Sequence, residues 1–579
     1  MMGPVSSRRQ FLTALAASAA ACRVTPTGQP GSQPTGSGPS ASADVDMLAA
    51  AEQVLGIEHT PAEREQIAAS LDEQLGLIVS RRGHPLANEL APATVFDPRL
   101  PGMALPTDTT RTFPAVSEAL PADDESIAFA SVASLSHWIA TKQISSRRLT
   151  ELYLERLERL GPGLECVITL TKELALKQAD RADAEIAAGK IRGPLHGIPW
   201  GAKDLFDTKG IATTWGATPY KDRVGPADAT VVQRLEAAGA VLVAKLTLGA
   251  LAYGDLWFGG RTRNPWNPAE GSSGSSAGSA SAVAAGLVGF ALGTETLGSI
   301  VSPSMRCGVT GLRPTFGRVP RTGAMALCWS MDKAGPITRR VEDAAMVLAA
   351  IDGSDPGDAS SRDVPLALDL KRPLDGLRVG IIPGWFADPG LTEPEKALPS
   401  VVKELGMELV ELPSLPGLPY AAMVTVLYAE AAAAFEELML DGRDDDLVWQ
   451  DLQAWPNSFR RARYLGAIEL VQAQRIRREV MEMMAERFAD VDVMVGPSYA
   501  GGMLMITNMT GHPCLTIPAG FVERPPIDSL SNEPMEGEAA RTMPQGITVW
   551  GRLYDEGTLC RVGLALQQHY GVAQKRPPV

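Results

Sequence analysis

The stretch Glu270–Ser302, EGSSGSSAGSASAVAAGLVGFALGTETLGSIVS, constrains the fold of this chain more than any other. A Gly/Ser run from Gly271 to Ser276 leads into small residues, Ala280, Ala282, Ala284 and Ala285, that predict a short helix ending near Gly286. Leu287–Leu292 then reads as a buried strand, and Gly293–Ser299 as a tight turn. Gly/Ser runs are more often flexible linkers. A linker, however, has no reason to run straight into an Ala/Val helix and an apolar strand. Glycines at 274, 293 and 298 point to positive φ or to close approach of another group. Clustered main-chain N–H groups in such turns form anion-binding cups.

The rest of the chain repeats a helix-then-strand rhythm. Leu149–Leu160, Glu173–Ala188 and Ala229–Ala238 have helical spacing, while Ala240–Ala244, Leu377–Ile382, Met407–Leu412 and Val491–Val495 read as strands. Long helices are expected near Tyr420–Leu440 and Phe459–Phe488, with strand, helix and a Gly571 cap closing the chain. This alternation predicts an α/β fold, a sheet with helices on its faces. Lys203 follows the apolar piece Ile198–Ala202. Most lysines are surface ammonium groups, but Gly197, Trp200, Gly201, Ala202 and Leu205 leave this one little polar company.

The amino terminus reads as an address. Ser7-Arg8-Arg9-Gln10-Phe11-Leu12, a short apolar stretch and small residues before Cys22 resemble a twin-arginine export signal over residues 1–22. Cleavage after Ala21 would leave Cys22 open to lipidation, although Ala19 stands where lipoprotein signals usually carry Leu. Residues 23–44, rich in Gly, Pro and Ser, read as a disordered linker. Residues 45–125 read as a small helical extension and a proline-rich wrapping segment, with Thr60-Pro61-Ala62-Glu63 as a helix start.

Composition narrows the partners. With a net charge of −14 and no basic patch, nucleic acid is not expected. Asp444, Asp445 and Asp446 read as a solvated acidic loop. Six cysteines without C-x-x-C spacing and six histidines without paired spacing predict neither a disulfide scaffold nor a metal site. No cofactor is expected.

GSSGSSAGS together with GTETLGSI, GIPWGAKD at 197–204, RLEAAGAVLVAKL at 234–246 and DKAGPITR at 332–339 resemble the amidase signature family of serine hydrolases. Its pattern is roughly G-G-S-S-G-G-S…G-T-D-T-G-G-S-I-R, and the likeness spans about 130 to 570. The resemblance implies a single large domain, residues 126–575, with a mixed central β-sheet covered by helices on both faces. It also implies a Ser–cis-Ser–Lys triad, with Ser299 as nucleophile, Ser275 as bridge and Lys203 as base. The oxyanion hole would be the main-chain N–H groups of Thr296, Leu297, Gly298 and Ser299. Ser276, Met325, Trp329 and His512 are candidates for the substrate pocket, with core packing the commoner fate of Met325, Leu327, Trp329 and Met331.

For such a base, lysine must be neutral at working pH. Reaching roughly 7 to 8 from its usual value corresponds to ~4 kcal/mol of preference for the neutral amine. Two departures from the pattern stand out: Leu297 replaces a usual glycine and Val301 a frequent arginine. The loss of that cation points to a neutral, fairly apolar substrate. The function implied is exported hydrolysis of neutral or aryl amides through a seryl acyl-enzyme, with carbamates and esters as further substrates. The glutaminase component of a tRNA-dependent amidotransferase and an inactive binding protein are the alternatives. Monomer and homodimer both stay open, and membrane contact is expected through Cys22 alone.

Two rival serine motifs occur. Ser276 in Gly274–Gly278 fits G-x-S-x-G, which needs a strand just before it, and Asn264-Pro265-Trp266-Asn267-Pro268 does not read as one. Ser330-Met331-Asp332-Lys333 fits S-x-x-K without its companion motifs.

Overall fold

The computed structural model describes residues 45–531 and 533–578. The expected export signal, Cys22 and the expected 23–44 linker lie outside the described residues. Two compact units divide after His84. In the first, helices Val45–Leu55 and Pro61–Arg82 are joined by the Glu52–Arg64 ion pair at 2.7 Å. Thr60 caps the second helix: Glu63 N donates to its Oγ1, and the Glu63 carboxylate accepts from Thr60 N at 2.7 Å.

The second unit is built on an eleven-stranded sheet. Its strands in chain order are β1 (Val167–Leu170), β2 (Pro199–Lys203), β3 (Val241–Leu246), β4 (Phe290–Glu295), β5 (Thr310–Arg313) and β6 (Lys333–Thr338). Then come β7 (Arg378–Ile381), β8 (Glu408–Glu411), β9 (Val493–Pro497), β10 (Cys514–Arg524) and β11 (Arg541–Gly551). The spatial order is β8-β7-β9-β11-β10-β5-β6-β4-β2-β3-β1. β2 runs parallel to both β3 and β4, β7 runs parallel to β8 and β9, and the remaining pairs are antiparallel, so the sheet is mixed.

Both faces of this sheet are covered, which is why its central strands read as continuous apolar runs. Side chains alternate across a strand. Leu242, Phe290 and Leu292 accordingly join one core cluster, with Leu135 and Trp138 of the helix Val132–Ala140 and Val347 and Leu348 of Val341–Ile351. Val241, Val243 and Ala291 join another, with Ala280 and Val283 of the helix Ala277–Ala284 and Leu157 of Ser146–Leu164. A third, methionine-rich cluster fills the space around helices Val424–Ala434, Ala467–Arg487 and Met503–Thr510.

Several expectations shift. The strand placed at 287–292 begins instead at Phe290 and runs to Glu295, so the tight turn starts at Thr296. The helices expected at 420–440 and 459–488 are broken, into Val424–Ala434 and Glu436–Leu440 and into Trp455–Ala462 and Ala467–Arg487. Asp444 is not solvated: it is buried and accepts from Arg460 Nη2 at 2.5 Å.

Candidate active site

Lys203 ends β2, which lies between β4 and β3, and its side chain is fully buried. Its Nζ lies 2.9 Å from Ser275 Oγ, 3.0 Å from Ser276 Oγ and 2.9 Å from Thr294 Oγ1. Among the described residues no carboxylate is ion-paired with it. The adjacent Asp204 turns to the other side of the strand end, where Lys245 Nζ sits at 2.8 Å and the Thr214 N–H and hydroxyl donate to it at 2.8 and 2.6 Å. Burial therefore drives the Lys203 amine well below its usual range, and the charges of Asp332 and Glu295, acting the other way, do not restore it.

Ser275 follows a cis peptide bond with Gly274. Glycine is required at 274 because a Cβ there would stand 1.8 Å from the carbonyl oxygen of Gly254. Ser276, next in line, is locked: its hydroxyl donates to Thr294 O at 3.1 Å and accepts from Thr294 N at 3.2 Å. Its main-chain N–H donates to Ser299 O at 3.1 Å, tying the Gly/Ser loop to the turn that follows β4.

That turn is shaped by Glu295. The fully buried carboxylate accepts from the N–H groups of Ile300 and Val301 at 2.8 and 2.9 Å, from Asn508 Nδ2 at 2.7 Å, and from Arg313 Nη1 at 2.6 Å. Burial alone would raise its pKa, but the Arg313 guanidinium and these donors hold it at about 2. Thr296 fixes the other end by donating to Asp332 at 2.6 Å, and Asp332 also accepts from Leu327 N and Cys328 N. In this turn the N–H groups of Thr296, Leu297, Gly298 and Ser299 have no acceptor among the described residues. Gly298 takes φ 90, and Leu297 does not enter the left-handed region, so its side chain is tolerated and packs on the methionine-rich cluster. Val301 is 1% exposed and sits in that cluster beside Cys328 and Met331, an apolar use of the position.

Ser299 is 8% exposed. Its hydroxyl makes no hydrogen bond among the described residues: the loops bring Ser275 and Lys203 into contact, while Ser299 is tied to the Gly/Ser loop by its carbonyl, which accepts from Ser276 N. A cavity of about 360 Å³ opens beside this cluster, reaching it at Thr294, Thr296 and Asp332. Leu205, Trp215, Met325, Leu327 and Trp329 supply apolar wall. Of the residues expected in the pocket, Met325 and Trp329 line it. Ser276 and His512 do not. Ser276 is fully buried against Thr294, while His512 is stacked on Phe488 with Nδ1 2.7 Å from Thr510 Oγ1, and burial takes it down to about 3.

Neither rival motif assembles. A short strand, Asn267–Gly271, does precede Ser276, contrary to expectation, but it pairs with Arg263–Asn264 outside the central sheet. Ser330 Oγ donates to Glu430 at 2.6 Å, whereas Lys333 Nζ donates to Met331 O, so serine and lysine of S-x-x-K are turned apart. Sequence reasoning missed Thr294, Glu295, Arg313 and Asp332. The signal available was an acid buried within an apolar strand, at Glu295, which demands a buried cation.

The sequence profile of a family described as Amidase matches residues 148–560, well over half of the chain. A glutamyl-tRNA(Gln) amidotransferase subunit of Azotobacter vinelandii is 36% identical over 445 residues, 68% of this chain and 92% of that protein. Its namesake from Dechloromonas aromatica is 34% identical over 498 residues, 77% of this chain and 99% of that one. Among solved structures, the native peptide amidase from Stenotrophomonas maltophilia superposes with a TM-score of 0.65 at 28% identity, covering 78% of this chain and 98% of that one. A bacterial aryl acylamidase of the amidase signature family, at 24% identity and TM-score 0.63 over 78% of this chain and 99% of its own, shares the fold. The buried lysine, the Gly/Ser loop against it and these likenesses together make the chain a member of the amidase signature family, an enzyme acting on amides.

Proposed function

We propose that the protein is an exported serine amidase for small neutral amides, with Ser299 as nucleophile, Ser275 as relay and Lys203 as base. The observation that carries this reading is a fully buried amine 2.9 Å from Ser275 Oγ, with no ion-paired acid among the described residues to hold its proton. A neutral amine has two N–H donors and one lone pair. The Ser276 hydrogen is committed to Thr294 O, so Ser275 is free to donate to the Lys203 lone pair. Ser275 Oγ can then accept the proton of Ser299 as its oxygen attacks the amide carbon. Apo serines often stand off from their base and close on it when substrate binds.

The developing oxyanion is received by the N–H groups of Thr296, Leu297, Gly298 and Ser299. As the C–N bond breaks, the Lys203 proton returns through Ser275 to the leaving amine. Water adds to the acyl–Ser299 ester by the same relay, freeing the acid and restoring Ser299. Carbamates and esters fit the same steps.

An anionic substrate is disfavoured by the cavity's charges. Arg223 and Arg321 on its wall are ion-paired with Asp207 at 2.6 Å and Asp358 at 3.0 Å, and burial brings Lys333 down to about 7. Export rests on Arg8 and Arg9 and their flanks. Fusion of residues 1–44 to a reporter, followed by fractionation, tests it.

A second reading is the glutaminase component of a tRNA-dependent amidotransferase, and the names of the 34–36% identical relatives favour it over a free-standing amidase. Against it stand the apolar Val301 and the paired arginines, which leave the α-carboxylate of glutamine poorly served. The purified chain is expected to hydrolyse benzamide and acetanilide faster than glutamine. Glutamine hydrolysis that dominates, and rises with partner proteins and glutamyl-tRNA, would establish the second reading instead.

The pH profile gives a further check. Lys203 acts as base only when neutral, so kcat/KM is expected to fall as pH drops through its lowered pKa and to be level above it. A profile flat down to pH 5 counts against a lysine base.

A further inference from the structure

The cavity has a wall that the family match does not include. The matched region starts at residue 148, yet Asn88, Glu89 and Ala91, some sixty positions earlier, line the cavity. Asn88 is the clamp. Its Oδ1 accepts from Ala326 N at 2.8 Å, and its Nδ2 donates to Ala326 O at 2.9 Å and to Ala434 O at 3.2 Å. Its own carbonyl accepts from Trp329 Nε1 at 3.2 Å. Both Ala326 and Trp329 are themselves cavity residues, so the clamp acts at the lining.

Eight residues later the segment is held again. The Arg477 guanidinium lies 3.5 Å from the centre of the Phe96 ring, and Phe316 meets the same ring edge-on at 5.2 Å. Between these two anchors, residues 89–95 are exposed or half-buried and carry no regular secondary structure. The segment is thus a strap fastened at both ends over an apolar cavity near the small end of the usual ligand range.

We propose that Asn88 is a specificity-determining residue: by fastening the strap to Ala326 and Trp329 it closes one side of the cavity and restricts the enzyme to small amides. This rests on the cavity being the substrate site, as in the function proposed above. Releasing the clamp lengthens the cavity towards solvent, and large substrates gain over small ones. Filling the same side with an indole does the reverse. The chemistry at Ser299 is untouched in either case, so selectivity moves more than rate.

The test compares wild type, Asn88→Ala and Ala91→Trp on the 4-nitroanilides of acetic, hexanoic and decanoic acids and on acetamides of small and bulky arylamines. Asn88→Ala is expected to raise kcat/KM of the largest relative to the smallest member by about fivefold or more in at least one series. Ala91→Trp is expected to lower the same ratio by about as much. Ratios unchanged within about twofold in both series, in variants whose melting shows them folded, overturn the proposal. A readout without turnover separates this from the function itself: calorimetric binding of benzamide and biphenyl-4-carboxamide to Ser299→Ala protein with and without Asn88→Ala. Selective gain for the biphenyl ligand supports the strap even if no amide tried is hydrolysed. Equal change for both ligands, or no binding of either, overturns it.

Discussion

Ser299→Ala is expected to abolish amide turnover, lowering kcat/KM by about 10⁴-fold or more, and to abolish labelling by a fluorophosphonate. The expectation follows from where the other groups stand. Lys203 and Ser275 are already in hydrogen-bond contact, and the N–H groups of Thr296, Leu297, Gly298 and Ser299 face no acceptor among the described residues. In the proposed roles these groups serve Ser299, whose carbonyl is tied to Ser276 N, and the neighbouring serines are engaged elsewhere. Ser276 is spent on Thr294, and Ser330 on Glu430.

The companions separate the roles. Lys203→Met is expected to approach the Ser299→Ala loss, because Ser275 then loses the amine in contact with its hydroxyl. Ser275→Ala is expected to keep a weak remainder, since water can bridge the gap it leaves. Substantial turnover by Ser299→Ala protein would remove the nucleophile assignment. Retention of turnover in Lys203→Met, with its acid limb unchanged, would remove the base.

How much of this was legible in the sequence depended on the kind of interaction. Local pattern was readable in part: the run at 240–244 is a buried strand, the strand expected at 287–292 lies three residues further on, and the glycines at 274 and 298 did meet a close carbonyl and a positive φ. Lys203 was readable because its neighbours are apolar. What could not be read was partnership over distance. Glu295 and Arg313 lie on strands separated in the sheet by β6, and Asp332 meets Thr296 just beyond the paired ends of β6 and β4. Periodicity says that such a side chain is inward, never which partner it finds. Asn88 was hidden for the same reason: its partners Ala326 and Ala434 are hundreds of positions away and offer only main-chain atoms, which leave no mark in side-chain pattern.

The second large effect is expected at Glu295, where fold and site share one carboxylate. Glu295→Gln leaves Arg313, itself fully buried, without its counter-charge, and breaking a buried pair from one side costs about 3–5 kcal/mol. The amide can still accept from one of the N–H groups of Ile300 and Val301, but not with the strength of an anion. The turn 296–299 then loses its register relative to Ser275, and kcat is expected to fall by about 10²–10³-fold with KM little changed, as when oxyanion donors are misplaced. A destabilised protein with normal kcat would show that Glu295 serves the fold alone.

The pH dependence of the same substitution gives an independent sign. The Glu295 carboxyl is held at about 2, below its ordinary 4.5, so the folded state binds its proton less readily than the unfolded chain. Its contribution, on the order of 3 kcal/mol, is therefore complete above the ordinary carboxylate range and is lost as pH falls from about 4.5 towards 2. Denaturant unfolding of wild type and Glu295→Gln should accordingly differ most near neutrality and converge in acid. A gap that stays constant from pH 7 to pH 3 would mean that the ionised carboxylate is not what holds the turn to Arg313.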